Sequence, residues 1–135
     1  MSMADLKWTF SDAQEVTSVA TVDCDNPVDI GRVTPKIGGG TPLWVNVQVG
    51  TVFASAGQAT LQVTLETGAA VGGDTQLWQS QAWAVASCTA GKVLASIPIP
   101  SECLQFLLTT YTVATSAMTS GDLNAWIGTS PIYDP

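Results

Sequence analysis

The sequence predicts an all-β fold, a jelly roll or β-sandwich in one domain, and three observations predict it. Apolar and polar residues alternate with a period of two along most of the chain. No stretch longer than two turns keeps a 3.6-residue period. Turn residues break the alternation at short intervals: Asp25-Asn26-Pro27, Gly38 to Pro42, Ala56-Gly57, Gly72-Gly73-Asp74, Ala90-Gly91 and Ser120-Gly121-Asp122. Many short strands with frequent turns and no helix fit a sandwich, a jelly roll or a small barrel.

Taken in order, short edge pieces are expected near Leu6 to Phe10 and Val28 to Ile30, with a strand from Glu15 to Val22. The clearest strand is Leu43 to Val49, where Leu43, Val45, Val47 and Val49 point one way and Trp44, Asn46 and Gln48 the other. Ala59 to Thr67 repeats that pattern, with Leu61, Val63 and Leu65 inward. Further strands are expected at Gln76 to Ala86, Lys92 to Ile99, Cys103 to Val113 and Asp122 to Ile127. Pro98 and Pro100 limit pairing at the end of their strand, because proline cannot donate to a ladder, and suggest an edge or a departure from the sheet. Residues 1–135 form one domain, with 1–14 a candidate N-terminal arm.

Composition narrows the function. Charged residues make up 11% of the chain, under half of the roughly 25% usual in soluble domains, while apolar residues make up 46%. Such a surface suits a protein covered by partners. The net charge is −7, and the four cations, Lys7, Arg32, Lys36 and Lys92, are scattered. They cannot form the basic stripe that phosphate neutralisation needs, so neither nucleic acid nor an anionic membrane is an expected partner. No apolar run approaches the roughly 20 residues of a membrane span, and Met1 to Phe10 lacks the pattern of a signal peptide. Cys24, Cys88 and Cys103 are odd in number and without C-x-x-C spacing, which reads as free thiols in a reducing compartment.

The chemistry of catalysis is missing from the sequence. It has no histidine, hence no Ser-His or Cys-His pair and few zinc options. No serine sits in a G-x-S-x-G elbow, and Gly38 to Gly40 precedes a strand, so it cannot set a helix N-terminus against phosphate. Asp23 to Asp29 offers alternating oxygens but has Val28 where a calcium loop needs glycine, and no closing glutamate; solvated turn acids are the better reading. A non-enzyme without metal or organic cofactor is expected. Trp44 and Trp126 fall on the polar faces of their strands, as interface or sugar-stacking tryptophans do, unless a loop or the N-terminal segment covers them. Trp8, Trp78 and Trp83 read as core or edge fillers. Leu104, Phe106 and Leu108 oppose Leu107, Tyr111 and Val113, so that strand is apolar on both faces and predicts a homo-oligomer, dimer or trimer.

The order of segments is then recognisable: Phe10 to Thr17 (FSDAQEVT), Asp29-Ile30-Gly31, Ile37 to Val49 (IGGGTPLWVNVQV), Ala56 to Thr67 (AGQATLQVTLET) and Tyr111-Thr112-Val113. In this order the chain resembles the capsid cement, or decoration, proteins of short-tailed bacteriophages, typified by the cement protein of the Bordetella phages. The resemblance covers almost the whole chain and is weakest over Thr67 to Gln81. It implies a jelly roll made in the host cytoplasm that binds the outer surface of the icosahedral head as a symmetric oligomer. There it would bridge major capsid protein subunits and brace the shell against packaged DNA. It brings no catalytic residues. A carbohydrate- or receptor-binding module of a virion, using Trp44 or Trp126 as a platform, is the alternative.

Overall fold

The computed structural model describes residues 9–29, 43–68, 75–99, 106–128 and 132. Ten strands appear in chain order: β1 (Thr9–Glu15), β2 (Ala20–Asp23), β3 (Val28–Asp29), β4 (Trp44–Val49), β5 (Thr60–Gly68), β6 (Thr75–Gln79), β7 (Trp83–Ala84), β8 (Val93–Pro98), β9 (Phe106–Ala114) and β10 (Asp122–Gly128). The described residues contain no α-helix, only a 3₁₀ turn at Val85–Ser87.

Pairing is antiparallel throughout and nested. β1 pairs with β10, β2 and β3 with β9, β4 with β8, and β5 with β6 and β7. The outermost pieces thus pair with one another and the innermost do likewise, like one long hairpin. Two further pairings, β10 with β4 and β9 with β5, close this hairpin into two sheets. Their orders are β1-β10-β4-β8 and β2-β9-β5-β6, with β3 and β7 extending the second. That is the jelly-roll wrapping of a β-sandwich. Of the two readings its prolines left, an edge or a departure from the sheet, β8 is an edge, and it ends at Pro98.

Alternation fills the space between the sheets. Val45, Val47 and Val49 of β4 meet Leu61, Val63 and Leu65 of β5, with Leu107, Tyr111 and Val113 of β9 and Leu123, Ala125 and Ile127 of β10. Each fully buried side chain of this kind contributes about 1.5–3 kcal/mol.

Two predicted strands are subdivided. The run from Glu15 to Val22 breaks because β1 ends at Glu15 and the chain crosses to the other sheet before β2, with Val16 fully buried at the crossing. The run from Gln76 to Ala86 breaks at Ser80. There the Ser80 hydroxyl accepts the Val63 amide at 3.0 Å, replacing a ladder carbonyl, and the chain re-enters the sheet only at Trp83. The predicted Leu6 to Phe10 edge falls largely outside the described residues, which begin with Thr9 and Phe10 in β1.

A buried polar cluster joins the sheets. A bulge in β1 turns both Phe10 and Ser11 inward, and each is almost fully buried. Ser11 Oγ lies 2.8 Å from the Tyr111 hydroxyl and donates to Gln14 Oε1 at 2.6 Å. Tyr111 also meets Thr109 Oγ1 at 2.8 Å. Gln14 continues the chain, donating to the Asp23 carbonyl and accepting the Asp25 amide. Burial drives the Tyr111 phenol far above its usual range, with the hydrogen bonds from Ser11 and Thr109 opposing.

Candidate interaction surface

The outward face of the β1-β10-β4-β8 sheet carries both flagged tryptophans. Register sets Thr9, Trp126, Asn46 and Ser96 in one row across the four strands. The next row sets Gly128, Trp44 and Pro98 side by side. Trp126 and Trp44 are therefore diagonal neighbours, about 7–8 Å apart at the backbone. Gly128 gives Trp126 and Asn46 room to lie close over its backbone. A Cβ there would sit 3.4 Å from Trp126 Nε1 and 3.3 Å from Asn46 Nδ2. Both indoles are half-buried, and neither packs against the core, whereas Trp78 and Trp83 do. In the row of Trp126, the Ile132 amide donates to Ser96 Oγ at 3.1 Å, and Ser96 donates to Asn46 Oδ1 at 2.8 Å. Asn46 is thereby only 1% exposed although it points outward.

A third row holds a feature that the sequence did not reveal. Asn124 and Gln48 are direct cross-strand partners beside Trp126. Asn124 Oδ1 accepts the Ala13 amide at 2.8 Å, and Gln48 Nε2 donates to the Gly91 carbonyl at 3.0 Å. Among the described residues, Asn124 Nδ2 and Gln48 Oε1 are given no hydrogen-bond partner. The alternation phase of both residues matched that of the tryptophans, but their pairing depends on a register that no local pattern prints. From Asn124 to Gly128, and across β4 and β8, this face has no charged side chain.

Charge gathers elsewhere. Among the described residues seven carboxylates stand against one cation, Lys92. Five of the seven, Asp12, Glu15, Asp23, Asp25 and Asp29, are exposed along β1, β2 and β3, where the two sheets share an edge. The segment considered for calcium lies here as a turn tied to β1, with Asn26 donating to the Thr9 and Phe10 carbonyls at 2.8 and 3.0 Å. Lys92 lies on the opposite edge, its ammonium 4.8 Å from the Trp83 ring centre.

The other expected interface residues are placed differently. Phe106 opens β9 half-buried beside Gly68, on the outward face of the second sheet. Leu108 shares that face by alternation yet is fully buried, out of reach of a partner meeting the chain as it stands. Leu104 lies outside the described residues. Cys24 and Cys88 are free, buried thiols, and Cys103 lies outside the described residues. Burial raises both thiols, Cys88 to about 11, so neither is set up as a nucleophile.

The fold is an all-β sandwich of two antiparallel sheets, and its class is that of a structural β-sandwich protein. The chain belongs to the Bbp16 family, a Bordetella phage protein family, whose model matches residues 10–127. This agrees with the phage resemblance read from the sequence and makes the chain a bacteriophage-associated protein. Family and fold together support a structural role over an enzymatic one. No curated protein matches the chain.

Proposed function

We propose that this protein is a cement protein of a phage head, seated on the outside of the capsid where it holds neighbouring major capsid protein subunits together. The observation that carries the proposal is the pair of half-buried tryptophans on an uncharged stretch of sheet face in a Bbp16-family jelly roll. Tryptophan concentrates at the centres of protein interfaces, where truncation to alanine typically costs about 2 kcal/mol or more. A neutral face can also be desolvated without stranding a charge. Anything that binds the intact shell and not its broken state stabilises the shell by mass action. Phe106, on the other sheet, is a secondary candidate contact.

The test is to purify Trp44→Ala and Trp126→Ala, verify each fold, and measure binding to undecorated heads and the temperature of DNA release. Each variant is expected to bind at least tenfold more weakly and to lose the protection that wild type confers. Full binding by both folded variants rejects these residues, and failure of the wild type to bind heads rejects the function. The Asn124–Gln48 donor and acceptor beside Trp126 favour one second reading, a glycan platform. A glycan array on which the wild type binds and Trp126→Ala does not would select that reading.

A further inference from the structure

Three polar side chains on the outward face of the β1-β10-β4-β8 sheet hold main-chain groups from other segments. Asn124 Oδ1 accepts the Ala13 amide at 2.8 Å, Gln48 Nε2 donates to the Gly91 carbonyl at 3.0 Å, and Ser96 Oγ accepts the Ile132 amide at 3.1 Å. A main-chain N–H can only donate and a main-chain carbonyl can only accept. The first two bonds therefore fix which end of each side-chain amide remains: an N–H donor on Asn124 and a carbonyl acceptor on Gln48. The two residues are direct cross-strand partners, and both are half-buried. Side by side they complement the C=O and N–H that one residue of an extended chain offers along its edge.

Spacing extends the match. Asn124 lies two residues from Trp126 on β10, about 7 Å, and Trp126 lies about 7–8 Å diagonally from Trp44. An extended peptide advances about 6.6–6.8 Å for every two residues and turns alternate side chains the same way. A segment of about five or six residues thus passes from one indole to the other and on to the amide pair. No charged side chain stands between these points, so nothing there would compensate a charge taken out of water. Asp122, the next outward residue of β10, already accepts the Thr51 amide at 2.8 Å.

Given the capsid reading, on which this rests, we infer that the face takes an extended, uncharged segment of the major capsid protein. The main chain of that segment pairs with Asn124 and Gln48, and two alternate side chains, proline or aliphatic, lie on Trp126 and Trp44. The Ile132 amide, bound to Ser96 in the row of Trp126, is an example of the same mode within the chain itself. Main-chain bonds of this kind supply affinity, and pockets for alternate side chains supply specificity. A sugar would also stack on an indole, but its hydroxyls both donate and accept, so it has no need of the fixed polarity that Asn124 and Gln48 present.

Overlapping synthetic peptides that span the major capsid protein, titrated into the full chain with tryptophan emission as the readout, test this. One uncharged segment is expected to bind and to compete with undecorated heads. Methylating its backbone nitrogens one at a time should weaken binding at least tenfold at a single position, where the N–H meets Gln48, and little elsewhere. Asn124→Asp keeps an oxygen for the Ala13 amide and deletes the donor, and Gln48→Lys keeps a donor for the Gly91 carbonyl and deletes the acceptor. Both variants should keep the wild-type circular dichroism and bind peptide and heads at least tenfold more weakly. The methyl scan uses the wild type, so it decides the matter even where a variant misfolds. Heads bound through Trp44 and Trp126 with no peptide bound, a methyl scan without one sensitive position, or folded variants of unchanged affinity would overturn the peptide mode and leave the capsid reading standing. A glycan bound in place of any peptide would overturn it too, and a wild type that binds no heads would overturn both.

Discussion

Replacing Tyr111 with phenylalanine tests whether the buried polar cluster, and not apolar burial alone, holds β1 against β9. The substitution keeps the ring and deletes one oxygen from a side chain that is 0% exposed. Two hydrogen bonds vanish, to Ser11 Oγ and Thr109 Oγ1, both 2.8 Å long. Each is worth about 1 kcal/mol net, and a stranded buried hydroxyl adds a penalty. Ser11 retains Gln14, and Thr109 retains a contact with the Cys24 thiol, so that penalty stays small. The expected loss is therefore about 2 kcal/mol, or about 6–8 °C in Tm for a domain of this size. Urea unfolding followed by circular dichroism and tryptophan fluorescence would measure it. A double-mutant cycle with Thr109→Val sharpens the test. The pair should cost about 1 kcal/mol less than the sum of the singles, because the second change removes the group that the first left under-bonded. A loss below about 0.5 kcal/mol, or strict additivity, would refute the reasoning and leave Tyr111 as a filler.

Two other outcomes follow from the same core. Cys24, Cys88 and Tyr111 all have raised pKa values in the fold, Cys88 at about 11 against 9.0 for a free thiol. The unfolded chain releases these protons first, so stability should be level below about pH 9 and fall as pH rises beyond it. Tm recorded from pH 7 to 11 checks this, and a flat profile would contradict it. Gly121 has φ +133°, and a Cβ there would strike the Phe53 ring in the β9–β10 turn. Gly121→Ala should therefore cost about 2 kcal/mol or more, read by the same urea unfolding, and a neutral result would mean that the turn relaxes freely.

Those elements whose faces differ most in polarity were legible from the sequence. β4 and β5 alternate strictly, and the structure turns Val45, Val47, Val49, Leu61, Val63 and Leu65 inward as read. Where long-range contacts override alternation, the sequence was ambiguous. Glu15 to Val22 reads as one strand, but a strand cannot serve two sheets, and the chain turns at Val16. The bulge that sends both Phe10 and Ser11 inward is bound to partners a hundred residues away in β9, which no local window contains. Ser80 looks like an ordinary strand residue until its hydroxyl is seen in place of a ladder carbonyl.

The same distinction explains the candidate surfaces. Phase alone pointed Trp44 and Trp126 outward, since phase is a property of each strand. That they are neighbours follows from β4 lying beside β10, two segments some eighty residues apart in the chain, and from the glycine opposite Trp44. The acidic edge has the same origin: the carboxylates of Asp23 to Asp29 stand together in sequence, but it is the fold that brings Asp12 and Glu15 of β1 to the same side. With five of the seven described carboxylates at that edge, the stretch of sheet face around Trp44 and Trp126 and the loop end at 16–19, 50–59, 85–91 and 115–121 are without charge. One offers aromatic area with an amide donor and acceptor beside it, and the other offers small residues on loops held by hydrogen bonds to one another. A jelly roll keeps two such surfaces apart because its strand faces and its strand ends are separate.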